Sequence, residues 1–350
     1  MSAETIEWLN QNTLIGFENT KGKAWHFSAA AQADEANHYP EAIPVEDVNR
    51  RLFHWEILSA AVTATVPVID ENGVGEQHIA IPNKQALLRS DDNTPLGLMS
   101  DSYRVHQYPE WLVDNVGTLL DAGEGEVGIG SAGLLQNGAV AWVQVQRPEG
   151  IEIGGEAHHP FLTAATSCNG TLASTYKSGD QRAVCDNTLD IALRSGRGGV
   201  FKVRHTSQSL NRIDEAREAL EIAFLGHAQF ETDVEALMNE KIAPAQFKQI
   251  LDIVVSVPTE EGRGQTMAKD RQTDIRKMYA LDPRVGEFQG TAWGVLQVFN
   301  THRQHEARVT KTTNRTERNR MNFLTGKTGQ SDREVLDIMT NVVGRELLPA

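Results

Sequence analysis

Cysteine is almost missing from this sequence: there are two in 350 residues, Cys168 and Cys185. Two thiols cannot frame a disulfide-dense secreted scaffold or a four-ligand zinc site, and no second pair of histidines follows at finger spacing. The expected state is reduced and structural, with a Cys168–Cys185 bridge or a nucleophilic Cys185 as alternatives. Long hydrophobic runs are missing as well. No stretch approaches the roughly 18 apolar residues that a membrane span requires, and Met1 to Asn10 is acidic where a signal peptide would be basic and then apolar. Membrane-spanning and secreted classes are therefore set aside, and a cytoplasmic location is expected. Aromatic residues make up only 6%, so the core must rest on Leu, Ile, Val and Ala. Positive charge is also short, with 33 Lys+Arg against 47 Asp+Glu and a net charge of −14. That total excludes a protein that coats nucleic acid over its whole surface.

The charge is unevenly spread. Residues 1–175 hold 8 Lys+Arg against 23 Asp+Glu, and residues 176–350 hold 25 against 24. Three local stretches are basic: 177–204 (6 against 3), 263–284 (6 against 3) and 302–328 (7 against 2).

Periodicity points to an α+β chain, β-rich first and helical afterwards. Residues 1–45 read as an irregular, partly extended arm with short helical pieces, 46–206 as a β-rich core with antiparallel hairpins, 207–310 as a helical region packed on it, and 311–350 as a basic linker with a C-terminal helix. Val45 to Trp55 reads as a helix entering a strand over Glu56 to Val68, with shorter strands at His78–Pro82 and Gln85–Arg89. Asp91-Asp-Asn-Thr-Pro95 marks a turn, and Asn137-Gly138 between apolar runs is the strongest hairpin signal in the chain. Strands are expected at Ile151–Ile153, Pro160–Thr166 and Val200–His205. Helices are expected at Tyr108–Leu120, Thr188–Arg197, Ser207–Leu225, Thr232–Lys241, Ala245–Ser256, Arg271–Ala280, Thr291–Glu306 and Ser331–Val343. The last opens with Ser331-Asp-Arg-Glu334, the pattern of a capping box.

Several motifs invite chemistry and decline it on spacing. Gly326-Lys327-Thr328 has the end of a phosphate loop, but the position five before Gly326 is Met321 instead of glycine, and no buried strand precedes it. His302 and His305 lie one helical turn apart, yet Arg303 and Arg308 beside them would repel a cation, so no metal or other cofactor is expected. Asp186 and Asp190 are spaced to cap the helix expected after Asn187, where the dipole favours carboxylates. A metal-dependent nuclease would instead use Asp186.

What remains is basic. Lys177, Arg182, Arg194, Arg197, Lys202 and Arg204 bracket the β-to-α junction, and Arg303, Arg308, Lys311, Arg315, Arg318 and Arg320 punctuate a Thr/Asn-rich segment. Guanidinium forks among short hydroxyl and amide side chains suit phosphate oxygens. Tyr176, Phe201 and Phe323 are the stacking candidates.

Tyr103-Arg-Val-His-Gln-Tyr-Pro-Glu110, the Asn137-Gly138 hairpin, Val184-Cys-Asp-Asn-Thr-Leu189, Arg204-His-Thr206 and Gly290-Thr-Ala-Trp-Gly294 resemble, in that order, a phage- and plasmid-associated family of unknown function, the domain of unknown function numbered nine-three-two. The resemblance runs from about residue 45 to 310 and implies a home on a phage, prophage or plasmid genome, without a reaction. The architecture is also similar to that of the single-strand annealing proteins of phage recombination. The expectation is a non-catalytic, homo-oligomeric protein that binds single-stranded DNA through the twelve basic residues above. The alternatives are a protein-interaction factor that modulates the host, and the metal-dependent nuclease.

Overall fold

A computed structural model describes residues 3–24, 27–70, 73–114, 116–117, 120, 127–182, 188–190, 200–203, 229–286, 288–309 and 315–349, with backbone only at 3–6, 69–70, 73–74, 156, 182, 188–190 and 200–203. The expected α+β organisation is present. Antiparallel sheets fill the first half, and helices the second.

Among the described residues the main sheet has eight strands: β1 (Thr13–Ile15), β5 (Gly128–Leu135), β6 (Val140–Gln146), β7 (Ile151–Ile153), β8 (Glu156–Ser167), β9 (Ser174–Arg182), β10 (Thr188–Asp190) and β11 (Val200–Val203). Its order is β1-β5-β6-β8-β9-β10, with β7 also on β8 and β11 also on β9. A second sheet joins β2 (Ile57–Asp70), β3 (Gly73–Arg89) and β4 (Pro95–Ser100). The Asn-Gly signal yields the β5–β6 hairpin as expected. Its loop is four residues long, since Leu135 pairs with Val140. Gln136, Asn137 and Gly138 all take positive φ. A side chain on Gly138 would also meet the Trp55 ring at 3.1 Å. The Asp91–Pro95 turn joins β3 to β4, with Asp92 accepting from the Thr94 amide at 2.8 Å.

The two faces of the main sheet carry different chemistry because side chains alternate along each strand. Ala141, Val143 and Val145 of β6, with Leu162, Ala164 and Tyr176, face a large apolar core. That core is closed by helix α2 (Val45–Leu52) and a π-type helical segment, Pro109–Asp114. Tyr103, His106, Gln107 and Tyr108 of the family-like motif serve this side. Tyr103 donates to the Ser167 carbonyl at 2.8 Å, Tyr108 to the Gly138 carbonyl at 2.7 Å, and His106 bonds Ser174 at 2.8 Å. Gln107 pairs with both backbone groups of Ile57 at 3.0 Å, extending the strand ladder where no strand lies. Cys168 is a buried free thiol, 3.3 Å from the Tyr108 hydroxyl, and burial raises its pKa to about 12. Cys185 lies outside the described residues.

The opposite face presents Trp142, Gln144 and Gln146 of β6, Phe161 of β8, and Lys177 and Gln181 of β9. Helix α7 (Arg315–Leu324) crosses it and inserts Phe323 and Leu324 into a small cluster with Trp142 and Phe161. Gly179 makes that approach possible, because a Cβ there would fall 2.7 Å from the Phe323 ring.

The helical part comprises α1 (Ala3–Asn12) at the N-terminus, then α3 over 229–239, α4 (Pro244–Val254), α5 (Arg263–Leu281), α6 (Ala292–Thr301), α7 and α8 (Lys327–Val343). All ten residues of α6 are buried. Gly290-Thr-Ala-Trp-Gly294 starts this helix: Thr291 caps it, accepting from the Gly294 amide at 3.0 Å, and a Cβ on Gly294 would stand 2.1 Å from the Phe288 carbonyl. The buried pair His158–Asp180, 2.5 Å apart, packs against Phe230 and Trp293 where sheet and helices meet.

Three expectations need correction. Thr188–Asp190 is a strand paired to Gln181–Gly179, so the expected helix does not begin at Thr188; the open edge of β9 outweighs the helical pattern. The last helix begins at Lys327, four residues before Ser331, because Gly326 takes φ 85 and stops α7 there. Asp332, inside the supposed capping box, is 1% exposed and binds Arg303 and Asn300. The N-terminal arm supplies α1 and the edge strand β1. Residues 78–89 form one long strand with 73–77, and β2–β3 projects as a hairpin arm of about 45 Å at ~3.3 Å per residue. The helix expected over Ser207–Leu225 lies outside the described residues. Among the described residues no helix is long and apolar enough to cross a membrane.

Candidate functional site

The polar face of the main sheet and the N-terminal turn of α7 enclose a cleft of about 120 Å³. Its floor is amide-rich: Ser131, Gln144 and Gln181 come from the sheet, and Gln304 and Asn319 from the helical side. Its cations are Lys21, Lys23 and Arg320, with His305 at the rim, and among the described residues no Asp or Glu lines it. In a chain of net charge −14, that selection sets the cleft apart.

Arg320 is the central group. It is half-buried on α7, donates to Gln144 Oε1 at 2.9 Å, and lies 5.1 Å from the centre of the Trp142 ring. Both partners are neutral, and burial alone lowers its pKa to about 10. A guanidinium removed from water without a carboxylate is costly, which leaves this site favouring an anion. Lys21 bonds Gln146 Oε1 from the other wall. Lys23 leans on the Phe27 ring at 4.1 Å and stands 3.8 Å from Glu18, so its charge is partly met already. The local sequence allows this construction. Gly130 and Gly133 on β5 leave room for Gln146 and Trp142, whose side chains a Cβ would meet at 2.2 Å in each case.

A second cavity, of about 170 Å³, lies on the other side of α7 and shares Gln304 and Asn319 with the first. Arg303, Asn322, Lys327, Thr328 and Ser331 also line it, again without a carboxylate among the described residues.

The twelve basic residues expected to bind phosphates are divided by the fold. Arg320 stands in the cleft. Arg318, on the same helix, donates to the Arg303 carbonyl and to Asn319, each at 2.9 Å, and so braces the cleft wall. Burial and the neighbouring Arg315 lower its pKa. Arg315 is half-buried at the start of α7, and Arg308 is exposed. Arg303 is committed to Asp332. Lys177 is turned inward: it is fully buried, donates to the Phe323 carbonyl at 2.8 Å and sits 4.6 Å from the Phe323 ring centre. It clamps α7 to the sheet and does not reach solvent. Arg182 ends β9 opposite His158, and Lys202 on β11 pairs with Thr175 in the backbone register. Arg194, Arg197, Arg204 and Lys311 lie outside the described residues, as does Asp186. Tyr176 is buried in the core and Phe323 in the α7 contact, so neither is a stacking platform. Among the described residues no group of three or more His, Cys, Asp or Glu could hold a metal ion.

Reasoning along the sequence missed Lys21, Lys23 and the amides. One signal was there to read. Val140-Ala-Trp-Val-Gln-Val-Gln146 is buried on both faces, and a central strand rarely accepts two glutamines unless they answer something polar.

No curated protein and no solved structure matches this chain. A family model described as Domain of unknown function (DUF932) matches residues 95–324. That span takes in β5 to β9, the family-like motifs on both sides of the sheet, and Arg320; Lys21 and Lys327 fall outside it. With most of its length inside the match, the chain belongs to the DUF932 family.

Proposed function

We propose that this protein binds single-stranded DNA without cutting it, in recombination or replication on a phage or plasmid genome, and that the cleft beside α7 takes one of the phosphates. The observation that carries this reading is Arg320, a half-buried guanidinium whose partners are an amide and an indole ring, in a cleft that no carboxylate lines among the described residues. A phosphodiester supplies the missing negative charge and several acceptors for the surrounding amides. The acidic first half keeps the remaining surface from binding nucleic acid indiscriminately. The test is a polarisation titration with labelled oligothymidylate at low salt. Binding that weakens steeply as salt rises supports the proposal; an unchanged signal at low salt ends it.

A second reading has its own support. The β2–β3 arm exposes Leu58, Ile79, Ile81 and, on β4, Leu98, which is 58% exposed. An apolar arm of this kind suits protein contact, either with another copy of the chain or with a host factor. Sedimentation with and without the arm tip separates self-association from a heterologous partner.

A further inference from the structure

The N-terminus of α8 has no side-chain cap, because the capping position is Gly326. Gly326 ends α7, donating its amide to the Phe323 carbonyl at 3.0 Å, and its φ of 85 lets the chain turn directly into α8. Gln330 is the first residue of α8 whose amide finds a backbone acceptor, Gly326 O at 3.0 Å. The amides of Lys327, Thr328 and Gly329 therefore point out of the helix end together. The 17-residue helix adds the positive end of its dipole to them.

A helix end alone is no site, but here the side chains around it also want a partner. Thr328 is 5% exposed and lines the 170 Å³ cavity, and its hydroxyl makes no hydrogen bond to another described residue. Ser331 and Asn322 line the same cavity, and Lys327 stands exposed at its mouth. Arg303 also faces it, but Asp332 neutralises that guanidinium from behind. The donors thus outnumber what the two oxygens of a carboxylate can accept, and they suit a tetrahedral, multi-acceptor anion.

We propose that the start of α8 is a phosphoryl-binding site, built from the Lys327 to Gly329 amides, the Lys327 ammonium and the hydroxyls of Thr328 and Ser331. The Gly-Lys-Thr sequence is used here between two helices, without the strand and glycine-rich loop that a nucleotide-binding phosphate loop requires. The site is distinct from the Arg320 cleft and does not depend on it, although Gln304 and Asn319 separate the two.

Inorganic phosphate is the probe, titrated into the full-length protein by calorimetry against chloride and sulfate controls. Lys327→Gln and Thr328→Val should each weaken phosphate binding by about tenfold, the usual loss for one charge-assisted hydrogen bond. Thr328→Val should leave the unfolding midpoint unchanged, because the hydroxyl it removes has no partner among the described residues. Arg320→Leu should leave phosphate affinity within about twofold while weakening oligonucleotide binding in the other cleft. Oligothymidylate with and without a 5′-phosphate then separates the sources: tighter binding of the phosphorylated strand assigns the site to a nucleic-acid end, and equal binding assigns it to a free phosphate or small phosphate ester. The proposal is overturned if wild type takes up no phosphate, if Lys327→Gln and Thr328→Val bind it as wild type does, or if binding is lost only in Arg320→Leu.

Discussion

Replacing Arg320 with leucine should make the protein more stable and less able to bind. Burial lowers the guanidinium pKa from 12.5 to about 10, and at 1.36 kcal/mol per unit this is a penalty of about 3 kcal/mol for holding the charge there. The contact with the Trp142 ring returns about 1 kcal/mol and the hydrogen bond to Gln144 about another 1 kcal/mol. Leucine removes the penalty and both contacts, and its side chain can still cover Trp142. The expected result is a gain of about 1 kcal/mol in urea unfolding, seen as a higher midpoint at unchanged slope. The same variant should lose oligonucleotide affinity. Such opposed effects mark a site that is held ready for a ligand at the expense of the free fold. A loss of stability of about 2 kcal/mol or more in Arg320→Leu would refute the reasoning, because it would show that the charge is already paired within the chain.

Three further outcomes follow from the geometry. Lys177→Met should destabilise the fold by about 2 kcal/mol, since it leaves the Phe323 carbonyl without its charged donor; its oligonucleotide salt dependence should match wild type, because Lys177 does not reach the cleft. Burial, with Lys21 adding to it, holds His159 down at about 4 against an ordinary 6.5, so the unfolded chain binds the proton first and stability should fall by about 3 kcal/mol as pH drops from 6.5 to 4. Urea midpoints across that range check this, and His159→Gln should flatten the profile. Gly133→Ala should cost at least about 2 kcal/mol, because the new methyl group would lie 2.2 Å from the Trp142 ring; thermal unfolding measures it.

Local signals carried much of the fold. Asn137-Gly138 marked a hairpin because two successive residues there need positive φ, and Asp91–Pro95 marked another through Asp92 and Pro95. The helices expected over 245–256 and 291–306 lie over α4 and α6, whereas the one expected over 271–280 covers only the second half of α5, which begins at Arg263. Errors arose where tertiary pairing outweighed local preference. Thr188–Asp190 became a strand because β9 offered it an edge. Ser331 lost its capping role because Gly326, with φ 85, fixed the boundary four residues earlier. The site was less legible for the same physical reason. Lys21 and Gln146 are 125 positions apart and Gln144 and Arg320 are 176 apart, and no spacing rule joins such pairs. Basic residues counted along the chain could not show that Lys177 turns inward while Arg320 faces the cleft. The family-like motifs explain the architecture instead: Tyr103 to Tyr108 and Gly290 to Gly294 hold the core and the buried helix.

The salt dependence of oligothymidylate binding in wild type and in a Lys21→Gln/Arg320→Leu double variant tests the central claim most directly. For a single strand each phosphate neutralised contributes about −0.7 to the slope of log K against log salt. The cleft, which takes one phosphate, predicts that the double variant binds more weakly and that its slope is shallower by about 0.7. Equal slopes in the two proteins would contradict it, because the strand would then be held somewhere other than beside α7.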